Sequence, residues 1–173
     1  LISGISVAAK NINPKLKIYG VQTEKFPTMY NSYKRSKLKV SSDTLADGIA
    51  VKVPGEITSP IIKKYVDDIL LVDEFDIEKA ISNLFENERV VAEGAGAAGV
   101  AAICKSPKLF NNLKVAIVIC GGNIDSRVFA SILNRKLSFD GRMTRVRIDI
   151  IDEPGMLARI SNLIADNGGN IIE

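Results

Sequence analysis

The chain has 173 residues, 46% of them hydrophobic and 25% charged, with a net charge of +3, which is ordinary for a globular protein. Its basic residues are too few and too scattered to mark a nucleic-acid partner or an anionic membrane. It contains no histidine, which excludes imidazole bases, Ser-His pairs and common zinc sites, and no apolar run approaches the roughly 20 residues of a membrane span.

Taken in order, Ile2, Ile5, Val7 and Ala9 predict a short helix that stops at Asn13-Pro14. Residues 16–21 read as a strand, and residues 22–42 as polar surface with a short helix over 29–34. Asp47-Gly48 marks a turn. Pro54-Gly55-Glu56 leads a helix over 57–67, with Ile61, Ile62, Tyr65 and Val66 on its apolar side, and a strand follows over 69–72. Asp76 is expected to cap an amphipathic helix over 76–88 that buries Ile77, Ala80, Ile81, Leu84 and Phe85.

A second helix over 93–105 is rich in glycine, each glycine costing about 1 kcal/mol relative to alanine, so close packing has to compensate. Pro107 is expected to end it. Residues 115–119 are an unbroken, largely β-branched run and predict a strand buried on both faces. At its carboxyl end Cys120, Gly121, Gly122 and Asn123 form a turn where open α/β sheets bind ligands and where glycine lets a flat or charged group approach the backbone. A plain strand-to-helix turn around a buried cysteine fits the same four residues. A helix over 125–137 follows, capped by Asn123 or Asp125, with Arg135 and Lys136 at its negative dipole end. Cys104 and Cys120 lack metal-ligand spacing and are expected as free thiols.

Three segments in this order, residues 45–51 (LADGIAV), 90–99 (VVAEGAGAAG) and 114–123 (KVAIVICGGN), resemble the C-terminal half of the catalytic domain of threonine dehydratases. These belong to the fold-type II pyridoxal-phosphate family, with serine dehydratases and serine racemase. The resemblance implies an α/β fold, a largely parallel open sheet with helices on both faces, and pyridoxal 5'-phosphate as cofactor. It also implies that the cofactor phosphate lies by Leu1 at the start of the first helix, that the Gly48 backbone lies near the ring, and that Cys120 faces the ring nitrogen. Glu93, Gly121 and Asn123 complete the expected cofactor edge. The Schiff-base lysine of the family sits in a serine-aromatic-lysine motif that is not found here; Lys37, Lys39, Lys63 and Lys64 stand in polar contexts. No catalytic residue is therefore expected in this chain, which reads as a piece of a longer polypeptide. Relatives with a divalent metal carry acidic residues after the first strand, where Gln22 stands, so no metal is expected.

From Thr144 the pattern changes. Val146, Ile148 and Ile150 alternate with polar residues, DEPGM forms a turn, and a helix over 157–166 leads through Asn167-Gly168-Gly169-Asn170 to a new strand. This resembles the opening β-α-β of a ferredoxin-like ACT domain and divides the chain into residues 1–141 and 142–173. By that resemblance Gly155, Met156 and Asn170 contact an effector, a branched-chain amino acid such as isoleucine or valine. The expected protein is a cytoplasmic homo-oligomer acting on L-threonine or L-serine, in isoleucine synthesis if regulated. The alternatives are a serine dehydratase or racemase of the same fold, and a non-catalytic amino-acid sensor.

Overall fold

The computed structural model describes residues 1–172. Helix α1 (Ile2–Ile12) precedes β1 (Tyr19–Thr23) and α2 (Thr28–Lys34); α3 (Thr58–Tyr65) leads into β2 (Asp68–Val72). The strands pair in parallel, Tyr19 beside Asp68 through Thr23 beside Val72. A parallel pair requires a crossover, and α2 and α3 lie within it. The predicted first strand begins three residues late for a local reason. The Asp67 carboxylate accepts from the Ile18 N–H at 2.8 Å, and Ile18 O accepts from the Asp67 N–H, so Ile18 is paired before the ladder opens.

Helix α4 (Glu74–Asn83) starts two residues before the expected point because Asp73, not Asp76, is its cap. Asp73 accepts from the Asp76 N–H at 2.8 Å while Asp76 accepts from the Asp73 N–H at 3.1 Å, a reciprocal capping box. The helix continues into a π-helical turn, Leu84–Glu88, ended by Arg89 in the left-handed region. Ile77, Ala80, Ile81 and Leu84 form the anticipated buried face; they pack with Val72, Ala97, Ala101, Ala102 and Ile132 into the main core. A smaller core of Ile18, Met29, Ile62, Val66 and Ile69 lies under α1 and α2.

Helix α5 (Gly94–Lys105) matches the sequence reading, but Pro107 opens the short helix α6 (Pro107–Phe110) as its first residue, where its missing N–H costs nothing. Helix α7 (Ser126–Phe139) is capped by Asp125, whose carboxylate accepts from the Arg127 and Val128 N–H groups. It docks on α4 through Arg135, which forks the Glu78 carboxylate at 2.8 and 2.9 Å, and on the π-helical turn that follows through the edge-to-face rings of Phe85 and Phe129. Arg135 is thus an ion-pair partner of α4 and not only a helix-end cation.

Three expected strands do not form among the described residues. Residues 115–119 carry no ladder, and Ile117 and Val118 are 38% and 54% exposed, because no described strand lies beside them to accept their hydrogen bonds. Cys120 is exposed, not buried. Residues 146–151 likewise lack a partner and leave Val146 and Ile151 in solvent, although the turn, with Gly155 at φ +84°, and helix α8 (Met156–Asp166) form where expected. Ile171 and Ile172 are not in a strand, and Glu173 of that expected strand lies outside the described residues. No helix among the described residues is long and apolar enough to cross a membrane.

Candidate functional site

The amino end of α5 gathers the three singled-out segments. Glu93 is its cap position, yet its side chain makes no capping bond; its backbone N–H instead donates to Gly121 O at 3.1 Å. Glycines then let the helix lie directly on neighbouring backbone. A Cβ on Gly94 would stand 2.7 Å from the Leu45 carbonyl carbon and 2.9 Å from Ala46 N; one on Gly96 would stand 2.7 Å from Cys120 O and 2.8 Å from Gly121 O. These approaches are the compensation that a glycine-rich helix requires.

The half-buried Glu93 carboxylate lies between two further glycines. A Cβ on Gly121 would meet its Cδ at 2.6 Å, and Gly121 has φ +100°, a conformation that side-chain-bearing residues rarely adopt. A Cβ on Gly48, which sits in a 3₁₀ turn over Asp47–Ile49, would stand 3.5 Å from Glu93 Oε1. Gly48, Glu93 and Gly121 are therefore brought together, with the exposed thiol-bearing Cys120 adjoining Gly121. Backbone bare of side chains beside one carboxylate and one thiol suits the edge of a planar, polar-rimmed group.

The remaining expected site residues are largely exposed. Leu1 is 76% exposed at the start of α1, which packs on α3 and the smaller core. Asn123 is exposed and does not cap α7. Gly155 and Met156 line a small concavity of about 290 Å³ with residues 150–153 and Leu157, whereas Asn170 faces a wide groove between the α4–α7 pair and residues 143–172. Gln22 is spent structurally, its carbonyl oxygen accepting from the Tyr30 N–H at 2.8 Å.

Ion pairs brace the two ends of the β1–β2 pair. Burial pushes the Asp67 carboxyl up, but the Lys10 ammonium at 2.8 Å, the Ile18 N–H and Lys17 outweigh it and bring its pKa down to about 2. At the other end, burial opposes the charge of Lys105, yet Asp76 and Glu24, each at 2.8 Å, raise its pKa above the usual lysine value. One residue with no place in the sequence reading, Glu74, accepts hydrogen bonds from the Thr44 hydroxyl and the Leu45 N–H on the loop that runs into Gly48. Its one mark in the sequence is an acidic side chain next to Asp73, which only the structure shows to be the helix cap.

Residues 1–121 match the family of pyridoxal-phosphate dependent enzymes, and the chain belongs to that family. Over 174 aligned residues it is 45% identical to an L-threonine ammonia-lyase of Thermotoga maritima, covering 99% of this chain and 43% of that protein. Among solved structures, it is similar to a T.th. threonine deaminase (TM-score 0.65, 30% identity, 72% of this chain and 46% of that one). Maize serine racemase is comparably similar (TM-score 0.66, 31% identity, 78% and 44%). The chain thus spans less than half the length of these relatives. Gly48, Glu93 and the Cys120–Gly121 turn fit the family's cofactor, which is pyridoxal phosphate.

Proposed function

We propose that this chain supplies the cofactor edge of a threonine ammonia-lyase, which converts L-threonine to 2-oxobutanoate and ammonia by β-elimination. The observation that carries the reading is the meeting of Gly48, Glu93 and Gly121 at the start of α5, beside Cys120. Its support in the comparisons is the 45% identity to a threonine ammonia-lyase along nearly the whole chain. Pyridoxal phosphate, when bound, supplies the electron sink that lets an amino acid release its Cα proton. Cys120 would offer the ring nitrogen only a weak, neutral donor, whereas a carboxylate would hold a proton there. Glu93 and the bare backbone of Gly48 and Gly121 would line the ring's edge, with Asn123 at its rim and Leu1 toward the phosphate.

Lys37, Lys39, Lys63 and Lys64 are all exposed, unlike a lysine enclosed with a cofactor, so we assign that role to the remainder of the polypeptide. On this reading the 173-residue chain is inactive alone. Residues 142–173 would begin an ACT domain that binds a branched-chain amino acid near Gly155, Met156 and Asn170, in a cytoplasmic homo-oligomer serving isoleucine synthesis. The similarity to maize serine racemase favours a second reading, serine as substrate. Steady-state kinetics on the complete polypeptide separate them: kcat/KM for L-threonine should exceed that for L-serine. Racemised serine with no 2-oxobutanoate from threonine would overturn the first reading.

A further inference from the structure

Glu74, the first residue of α4, is half-buried and projects across to a different part of the chain. Its Oε1 accepts from the Thr44 hydroxyl at 2.6 Å and from the hydroxyl of the buried Thr23, the last residue of β1, at 3.3 Å. Its Oε2 accepts from the Leu45 N–H at 2.7 Å. Thr44 passes the constraint on, its oxygen accepting from the Ala46 N–H at 3.2 Å. One carboxylate therefore joins the carboxyl end of a strand, the first turn of a helix and the loop that runs into Asp47-Gly48.

That loop needs such a tie. No regular element lies between α2 and the turn at Asp47, so residues 36–46 have no ladder to hold them. Yet Leu45 and Ala46 are the backbone on which Gly94 sits, and Gly48 two residues on stands against Glu93 and Ala95. A carboxylate suits the task because two acceptor oxygens on one rigid group can serve three donors. Glutamine keeps the shape but turns an NH₂ group on one of them, and aspartate is a methylene short.

We infer that Glu74 is a positioning residue for the cofactor edge: it holds residues 44–48 so that the Gly48 backbone keeps its place beside Glu93. The inference rests on the cofactor-edge reading, but not on the identity of the substrate. The test is made on the complete polypeptide with Glu74→Gln, and with Glu78→Gln as a control that breaks the fork to Arg135 on the same helix. Spectrophotometric titration with pyridoxal phosphate and amide hydrogen exchange at Leu45 and Ala46 are the readouts. Glu74→Gln should weaken cofactor binding about tenfold and speed exchange at Leu45 by a similar factor, as for loss of a hydrogen bond to a charged group. Glu78→Gln should lower the melting temperature and leave both readouts at the parent value. Thr44→Val, a milder change, should weaken binding about threefold, in line with one neutral hydroxyl bond. Parent-like cofactor affinity in Glu74→Gln and Thr44→Val would overturn the inference, even if exchange or melting changed. Because the titration contains no amino acid, a protein that binds the cofactor but leaves threonine untouched would sink the proposed reaction and not this role.

Discussion

The apolar run of strand β2, residues 69–72, and that of residues 115–119 both lie near α5, yet their surroundings differ. In β2, Ile69 and Val72 are 3% and 0% exposed; in the other run every residue is exposed. β2 has β1 beside it to complete its hydrogen bonds and helices α4 and α5 to cover it. The later run meets α5 through a glycine, where a Cβ on Gly99 would stand 2.6 Å from Ile117 Cγ2, but has no neighbouring strand among the described residues. A β-branched pattern specifies a surface that can be buried; the partner determines whether it is.

The sharpest way to break this contrast acts on α5 itself. Gly94→Ala sets a Cβ against the Leu45 backbone, which cannot rotate away, and should cost about 3 kcal/mol by urea denaturation of this chain. Next in size, Val72→Ala should cost about 2 kcal/mol, whereas Val118→Ala should stay within about 0.5 kcal/mol. Equal losses at the two positions would show that residues 115–119 are as well packed as β2. A smaller effect comes from Asp67, which pins the start of the β1–β2 pair. Its folded pKa of about 2 lies below the unfolded 3.8, so its stabilisation is complete above that unfolded value and disappears as pH falls toward 2. Asp67→Asn should remove about 1 kcal/mol at neutral pH and flatten the acid limb of the stability curve, the solvent-facing Lys17 adding little.

Much of the helical layout was legible because period and punctuation agree locally, as in α5 and α8. Boundaries moved where a side chain competed with the backbone: Asp67 took the Ile18 N–H before β1, and Asp73 capped α4 in place of Asp76. The strands over 115–119 and 146–151 were misread because pairing is a non-local property that no window of sequence contains. Gly48, Glu93 and Gly121, which the structure brings together at the start of α5, are singled out only through the resemblance of the three ordered segments, since a lone turn glycine or a single carboxylate is ordinary in composition. Glu74 could not be named, because a glutamate in a helix's first turn is ordinary and only the fold brings Thr23 and Thr44 to it.

Cys120, the one thiol on the turn beside Glu93, is where the proposed cofactor edge is most directly put at risk. Replacing it by aspartate in the complete polypeptide and following both 2-oxobutanoate and pyridoxamine phosphate from L-threonine measures what that position does. A neutral thiol facing the ring nitrogen predicts that 2-oxobutanoate formation falls at least about tenfold, roughly 1.4 kcal/mol of barrier, while pyridoxamine phosphate accumulates. An unchanged rate with no pyridoxamine phosphate would mean that Cys120 does not face the cofactor ring.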